Sequence, residues 1–333
     1  MQWDSYDGAG RPPMSKVVLD PAVERLVAAT AAPPFLDDLG PTLGRQALRE
    51  SQADGIDDYD VDAVFRVAPV GPTGLVGFWV FRPAGATGPM PVLFYLHGGR
   101  WMLGDAQTHT QVISEFVREL GVAAIVPEYS RIPEARYPVA LEECYALLAW
   151  TAEHAEQLEL DPRRLAVGGD CAGATLATAL TMMVRTRGGP PIRAQLLYYP
   201  LTDSRCDSGS QRQFATGHLL TRQALRRYWA QYAPIPRQLT EPTASPLCAT
   251  RTDLTGLPPA LVVTAEADIA RDEGEEYVRR LRAAGVEAAG VRFLGTVHDF
   301  VALSALRDSP PTRGAVCQGC SFLRAKLELS RSG

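Results

Sequence analysis

Eight strand-length runs of β-branched and aromatic residues, at 64–67, 76–81, 92–96, 122–126, 165–167, 195–199, 261–264 and 291–294, constrain this chain more than any other feature. The first two are close enough to form a hairpin. Later runs are separated by helical patterns at 111–120, 140–154, 172–185 and 273–284. Such alternation predicts an α/β architecture, a mostly parallel eight-stranded sheet covered by helices on both faces. Ahead of it, residues 1–50 have helical character with a Pro-rich break at 32–34, and read as a separate helical layer. Residues 51–333 read as the main domain. Within it the alternation lapses at 203–247 into a polar loop and a helical stretch at 221–232, as an insertion would.

Composition removes several classes of function. The chain has 333 residues, is 46% hydrophobic and 21% charged, and carries a net charge of -5. Its 33 basic residues, only two of them lysine (Lys16 and Lys326), are scattered, which argues against nucleic acid as a partner. Apolar runs are of strand length, as at 91–96, where a membrane-spanning helix needs about 20 residues, so no membrane insertion is expected. Residues 1–16 are polar and lack the basic end and apolar run of an export signal. Six cysteines are too few for a disulfide scaffold, and without any Asn there is no glycosylation sequon. A reducing, cytoplasmic setting is the expectation.

Chemistry is concentrated at four points. After the fifth run stand Gly168-Gly169-Asp170-Cys171-Ala172-Gly173, followed at once by a helical pattern. This is the G-x-S-x-G frame of a nucleophile elbow with cysteine in the serine position, where small neighbours permit a strained strand-to-helix turn. The thiol would stand beside a helix N-terminus, whose dipole favours thiolate. After the third run, His97-Gly98-Gly99-Arg100-Trp101 matches the HGGG-type loop whose backbone N–H groups stabilise an oxyanion. Asp268 closes the seventh run and His298 follows the eighth. Nucleophile, acid and histidine thus occur in hydrolase order, each at the C-terminal end of a strand.

With these motifs the chain resembles the hormone-sensitive-lipase-like family of α/β-hydrolases, the bacterial esterases with HGGG and GDSAG motifs. Supporting segments are Gly104-Asp105, Tyr129 with Pro133-Glu134, 138–145, Tyr199-Pro200-Leu201-Thr202-Asp203, Ala244-Ser245-Pro246 and Leu257-Pro258-Pro259-Ala260, so the likeness runs from about residue 19 to near the C-terminus. The resemblance implies Cys171 as nucleophile, His298 as general base and acid, and Asp268 as the group orienting His298. It implies an oxyanion hole from the N–H groups of Gly99, Arg100 and Ala172, with His97, Gly98, Gly169, Asp170 and Gly173 supporting the motifs. The N-terminal helices and the 203–247 insertion would cap an acyl pocket shaped by Trp101, Tyr129, His218 and Leu219.

Two residues depart from the family. Cysteine replaces serine at 171; a thiolate–imidazolium pair suits thioesters, activated esters and acyl transfer, and an engineered replacement would read the same way. Arg100 stands where the family has its third glycine, and brings a cation that either recognises a substrate carboxylate or other anion or turns outward to pair with a surface acid. Elsewhere, Cys317 and Cys320 have CxxC spacing but no second pair or nearby histidine, so they read as a structural pair, and no metal or cofactor is expected. His109 and His154 read as solitary, Asp170 as an anchor of the elbow, and Asp272 and Glu273 as helix-starting acids.

The leading expectation is a carboxylesterase or thioesterase that works through an acyl-cysteine on a small-molecule substrate, with homodimerisation left open. A second passes the acyl group to an amine or hydroxyl, as an acyltransferase or cyclase in a biosynthetic pathway would. A third is a non-catalytic ligand-binding relative of esterases.

Overall fold

A computed structural model describes residues 17–53 and 60–329. Two helices come first, α1 (Pro21–Ala29) and α2 (Gly40–Ser51), with a 3-10 turn at Leu36–Asp38 between them. Asp20 caps α1 by accepting from the Ala22 N–H at 2.9 Å, and proline occupies its first turn, where a missing N–H costs nothing. All eight expected strands are present: β1 (Val61–Ala68), β2 (Val76–Pro83), β3 (Met90–Leu96), β4 (Ala123–Pro127), β5 (Leu160–Asp170), β6 (Ile192–Tyr198), β7 (Ala260–Ala267) and β8 (Ala288–Val297). Between β3 and β6 lie α3 (Thr110–Leu120), α4 (Val139–Glu153) and α5 (Cys171–Arg187). Beyond β6 come α6 (Gly209–Gln213), α7 (Arg222–Tyr232), α8 (Arg251–Leu254), α9 (Arg271–Ala283) and α10 (Pro310–Lys326).

The strands form one sheet in the order β1-β2-β4-β3-β5-β6-β7-β8. As expected, β1 and β2 form an antiparallel hairpin; β2 is also antiparallel to β4, and every pairing from β4 to β8 is parallel. Every residue of β3 and β4 is buried, and successive strand residues face opposite ways, so both faces of the sheet are covered at its centre. Each fully buried Leu, Val or Phe there contributes about 1.5–3 kcal/mol. The outer strand β1 is largely exposed along its length, and β8 is exposed or half-buried as far as Leu294, its last three residues being buried.

After β3 the chain goes to one side for β4 and returns to the other for β5, so β3 and β5 mark the topological switch point. Their C-terminal ends stay in register, with Leu96 opposite Gly169. The loop after β3 and the elbow after β5 therefore share the crevice where open α/β sheets place their sites.

Each expected strand overlaps an observed one; most observed strands extend one to three residues further, and two differences are larger. β5 begins at Leu160, ahead of the apolar core of the run, because Met90 and Pro91 offer it partners despite its polar Asp161-Pro162-Arg163-Arg164 start. α10 was not expected at all. It opens on Pro310 and Pro311 and carries two glycines, but Ser309 caps it, accepting from the Thr312 N–H, and it buries Ala315, Val316, Gly319, Cys320 and Leu323.

Candidate active site

The elbow is built by backbone contact. Cys171 begins α5 with φ 51, in the left-handed region that non-glycine residues occupy only under constraint. A Cβ at Gly169 would lie 2.6 Å from the Leu96 carbonyl oxygen, and one at Gly173 would overlap the carbonyl oxygens of Leu96 and His97. The G-x-C-x-G spacing is thus what allows β5, α5 and the end of β3 to approach so closely. Asp170, almost fully buried, accepts from the Tyr95 hydroxyl at 2.9 Å and the Gly98 N–H at 3.0 Å, tying the elbow to the loop opposite. His109 is not solitary, however: its Nε2 stands 3.4 Å from Asp170 Oδ2, and it comes from the turn before α3. Burial opposes charge on His109, but Asp170 outweighs it and raises the imidazole pKa.

In the loop after β3, Gly99, Arg100 and Trp101 all have positive φ (110, 57 and 58). Gly99 accepts from the N–H groups of Met102 and Leu103, at 3.0 and 2.7 Å. The N–H groups of Gly99 and Arg100 themselves have no acceptor among the described residues, as donors held ready for a ligand would. Behind them the Tyr129 ring stacks on His97 with centroids 4.2 Å apart, and its hydroxyl donates to the His97 carbonyl at 2.7 Å. Burial pushes the His97 imidazole down to about 3, so this ring is a neutral support of the loop.

His298 and Asp268 meet at the ends of β8 and β7. His298 Nδ1 lies 2.8 Å from Asp268 Oδ2, both side chains fully buried, and a second Asp268 oxygen accepts from the Ala270 N–H at 2.9 Å. The other imidazole nitrogen, Nε2, is buried and makes no hydrogen bond. Cys171 Sγ, an imidazole nitrogen of His298 and a carboxylate oxygen of Asp299 lie within 4.8 Å of one another. Burial disfavours the imidazolium, yet the charges of Asp268, Asp299 and Cys171 outweigh it and hold the His298 pKa well above the ordinary range.

Arg100 points inward. Its guanidinium lies 3.1 Å from Asp37 and 3.1 Å from Asp299, with all three side chains largely buried. Burial opposes its charge, but the two acids more than compensate and raise its pKa. In this arrangement it has buried acids as partners, neither a free cation nor an outward-turned surface residue. Asp37 also accepts from the Tyr228 hydroxyl on α7 at 3.0 Å, and Asp38 pairs with Arg227 at 2.8 Å. The N-terminal segment and the 203–247 segment therefore meet beside Arg100, in the loop after β3.

Comparison with known proteins places this geometry. A family model for the alpha/beta hydrolase fold matches residues 93–302. The chain is an α/β-hydrolase of the hormone-sensitive-lipase-like family. It is 34% identical to a putative alpha/beta hydrolase of Acanthamoeba polyphaga mimivirus over 89% of this chain and 84% of that one. With carboxylesterase NlhH of Mycobacterium tuberculosis it shares 34% identity over 74% of this chain and 77% of the relative. The crystal structure of a thermostable esterase from Pseudomonas putida superposes with a TM-score of 0.90 at 34% identity, covering 97% of this chain and all of that one.

Within this hydrolase the remaining expected site residues part company. Trp101 is buried and stacks on Tyr232 at 4.4 Å, with Trp229 at 4.6 Å, forming an aromatic floor beside Arg100. The Tyr129 hydroxyl is engaged by His97, which makes it a support of the loop. His218 and Leu219 are half-buried in the 203–247 segment, and His218 packs on Phe214 at 5.1 Å. Cys317 is exposed and Cys320 buried on α10, and all six cysteines are free thiols.

Glu273 does more than start a helix. Wholly buried, it accepts from the Thr202 N–H at 2.8 Å and from Gln211 at 3.3 Å, holding the root of the 203–247 segment. Asp299 and Asp37 are the site residues that sequence reasoning missed. Asp299 adjoins His298, and that adjacency was its one signal; Asp37 had none, because its partner lies 63 positions away.

Proposed function

We propose that the protein cleaves a carboxylic ester or thioester through an acyl-cysteine intermediate formed on Cys171. The observation that carries this reading is His298, with Nδ1 held by Asp268 at 2.8 Å and Nε2 buried, unbonded and close to the sulfur. The Cys171 proton passes to His298 Nε2, the sulfur attacks the acyl carbon, and the N–H groups of Gly99, Arg100 and Ala172 receive the oxyanion. Collapse breaks the bond to the leaving oxygen or sulfur, which takes its proton from His298 Nε2. A water then gives a proton to Nε2 and attacks the acyl carbon, and the cysteine sulfur leaves. Asp268 fixes the tautomer and orientation of His298 throughout.

The N-terminal segment and residues 203–247 act as the cap, and Trp101 with Tyr232 lines the acyl side. The three triad side chains are almost fully buried, which favours a second reading in which an amine or hydroxyl replaces water as acceptor. A short aryl ester or thioester separates these outcomes. Intact-mass analysis is expected to show one acyl group, mapped to Cys171 and missing in Cys171→Ala; added amine or alcohol would discharge it faster than water only if the second reading holds. If product forms at the wild-type rate in Cys171→Ala, the acyl-cysteine is excluded.

A further inference from the structure

We propose that Cys171, His298 and Asp299 form a site for a thiophilic divalent cation, zinc above all, whose binding reversibly shuts the acyl-transfer centre. The three residues bring together a sulfur, an imidazole nitrogen and a carboxylate oxygen, all buried and within 4.8 Å of one another. That set matches the Cys, His and Asp ligands zinc takes, leaving a fourth position for water. In a tetrahedral zinc site with bonds of about 2.0–2.3 Å, neighbouring ligand atoms lie about 3.3–3.7 Å apart. His298 Nε2 and Asp299 Oδ1 already stand 3.5 Å apart, so closure needs little movement beyond that of the sulfur.

Two further features point to a cation. The first is the orientation of His298. With Nδ1 turned to Asp268, Nε2 is buried beside Asp299 and makes no hydrogen bond, so a cation would take that nitrogen by displacing its proton, and a carboxylate behind a ligating histidine is the arrangement that raises its basicity toward zinc. The second is charge. Arg100 holds Oδ2 of Asp299 and leaves Oδ1, the oxygen nearer Nε2, free. Arg100 and the His298 imidazolium face three carboxylates, Asp37, Asp299 and Asp268, so the cluster keeps a surplus negative charge before the sulfur is counted. Serine at 171 would supply neither the softness nor the thiolate charge, which makes the site a property of the cysteine. Because the cation would occupy both Sγ and Nε2, occupation and acyl transfer exclude each other.

The test reads metal binding directly and requires no turnover, so it stands or falls separately from the acyl-cysteine reading. Cobalt(II) added to the whole protein is expected to give a thiolate-to-metal charge-transfer band that zinc displaces. The band should vanish in Cys171→Ser and persist in a Cys317→Ser, Cys320→Ser double variant, which removes the CxxC pair. Asp268→Asn should keep the band and weaken zinc binding about 10- to 100-fold in competition with a chromophoric chelator. In wild-type protein, zinc should slow iodoacetamide labelling of Cys171, read by peptide mass, and a chelator should restore it; this arm needs no variant to fold. A band that survives in Cys171→Ser, or labelling of Cys171 that zinc leaves unchanged, overturns the proposal.

Discussion

The two sides of the candidate crevice are built in different ways. On the elbow side the parts are joined chiefly by close backbone approach: Gly169 and Gly173 let α5 pass against the carbonyls of Leu96 and His97, with the local Asp170–His109 pair beside them. On the cap side the parts are joined by charged side chains, Asp37 to Arg100 to Asp299, drawn from three distant stretches of chain. Backbone contact tolerates almost no change of residue, whereas an ion-pair chain can be rebuilt with other partners. The difference explains why the elbow keeps its family's glycine spacing while this hydrolase departs from the family at Arg100.

The largest expected effect lies on the elbow side. Gly173→Ala would place a methyl against two backbone oxygens that cannot rotate away. It should cost about 3 kcal/mol or more and abolish acylation of Cys171. Urea denaturation with acyl-adduct mass analysis checks both, and a variant with wild-type stability would mean the elbow is not backbone-limited.

On the cap side the expected loss is of similar size but recoverable. Arg100→Met leaves Asp37 and Asp299 buried without their cation, which should cost about 3–5 kcal/mol. Adding Asp37→Asn removes one stranded charge and should return at least about 1 kcal/mol. Denaturation of both single variants and the double variant measures this, and strict additivity would show that the ion pairs do not couple the cap to the loop.

That contrast also marks how far the sequence could be followed. The eight strands were legible because each is a short apolar run beside turn glycines, and Cys171, Asp268 and His298 because each follows a strand in a characteristic local setting. β5 outran its pattern because Asp161 to Arg164 are polar and enter the strand only by pairing beside Met90 and Pro91. α10 was hidden by its prolines and glycines, although Pro310 sits where a helix start tolerates it and Gly319 where Tyr198 leaves no room for a side chain. The partners of Arg100 and His109 were illegible for a different reason. A buried charge shows that it needs a partner, but which acid answers depends on chain paths that no local spacing records.

A smaller effect bears on His298, where the two sides meet. Asp299 lies 3.5 Å from Nε2, and Asp268, the Cys171 sulfur and the Tyr199 ring also face the imidazole. Since the folded pKa is raised, the imidazolium contributes stability that is complete below about 6.5 and is lost as pH rises through the folded value. Asp299→Asn should lower that pKa, moving the alkaline limb of the acylation rate down by about one pH unit. An unmoved limb would assign the raised pKa to Asp268 and Cys171 without Asp299.

The smallest expected effect is at Glu273, the anchor of the 203–247 segment. Burial raises its pKa well above the carboxylate range, against the N–H groups of Thr202 and Asp203 and the Gln211 amide, which favour the anion. The folded state then binds a proton that the unfolded chain releases above about 4.3, so stability falls as pH rises from there through the folded value. Glu273→Gln keeps a neutral oxygen acceptor for the Thr202 N–H. Its amide would face the Gln211 amide, but Gln211 Oε1 is buried and unpartnered, so rotating that side chain by half a turn supplies an acceptor. The variant should match wild type at low pH, exceed it by no more than about 1 kcal/mol near pH 8, and lose part of the pH dependence of unfolding. A loss of several kcal/mol at pH 8 would mean that Glu273 is needed as an anion, and that the cap root, like the rest of the cap side, is held by charge.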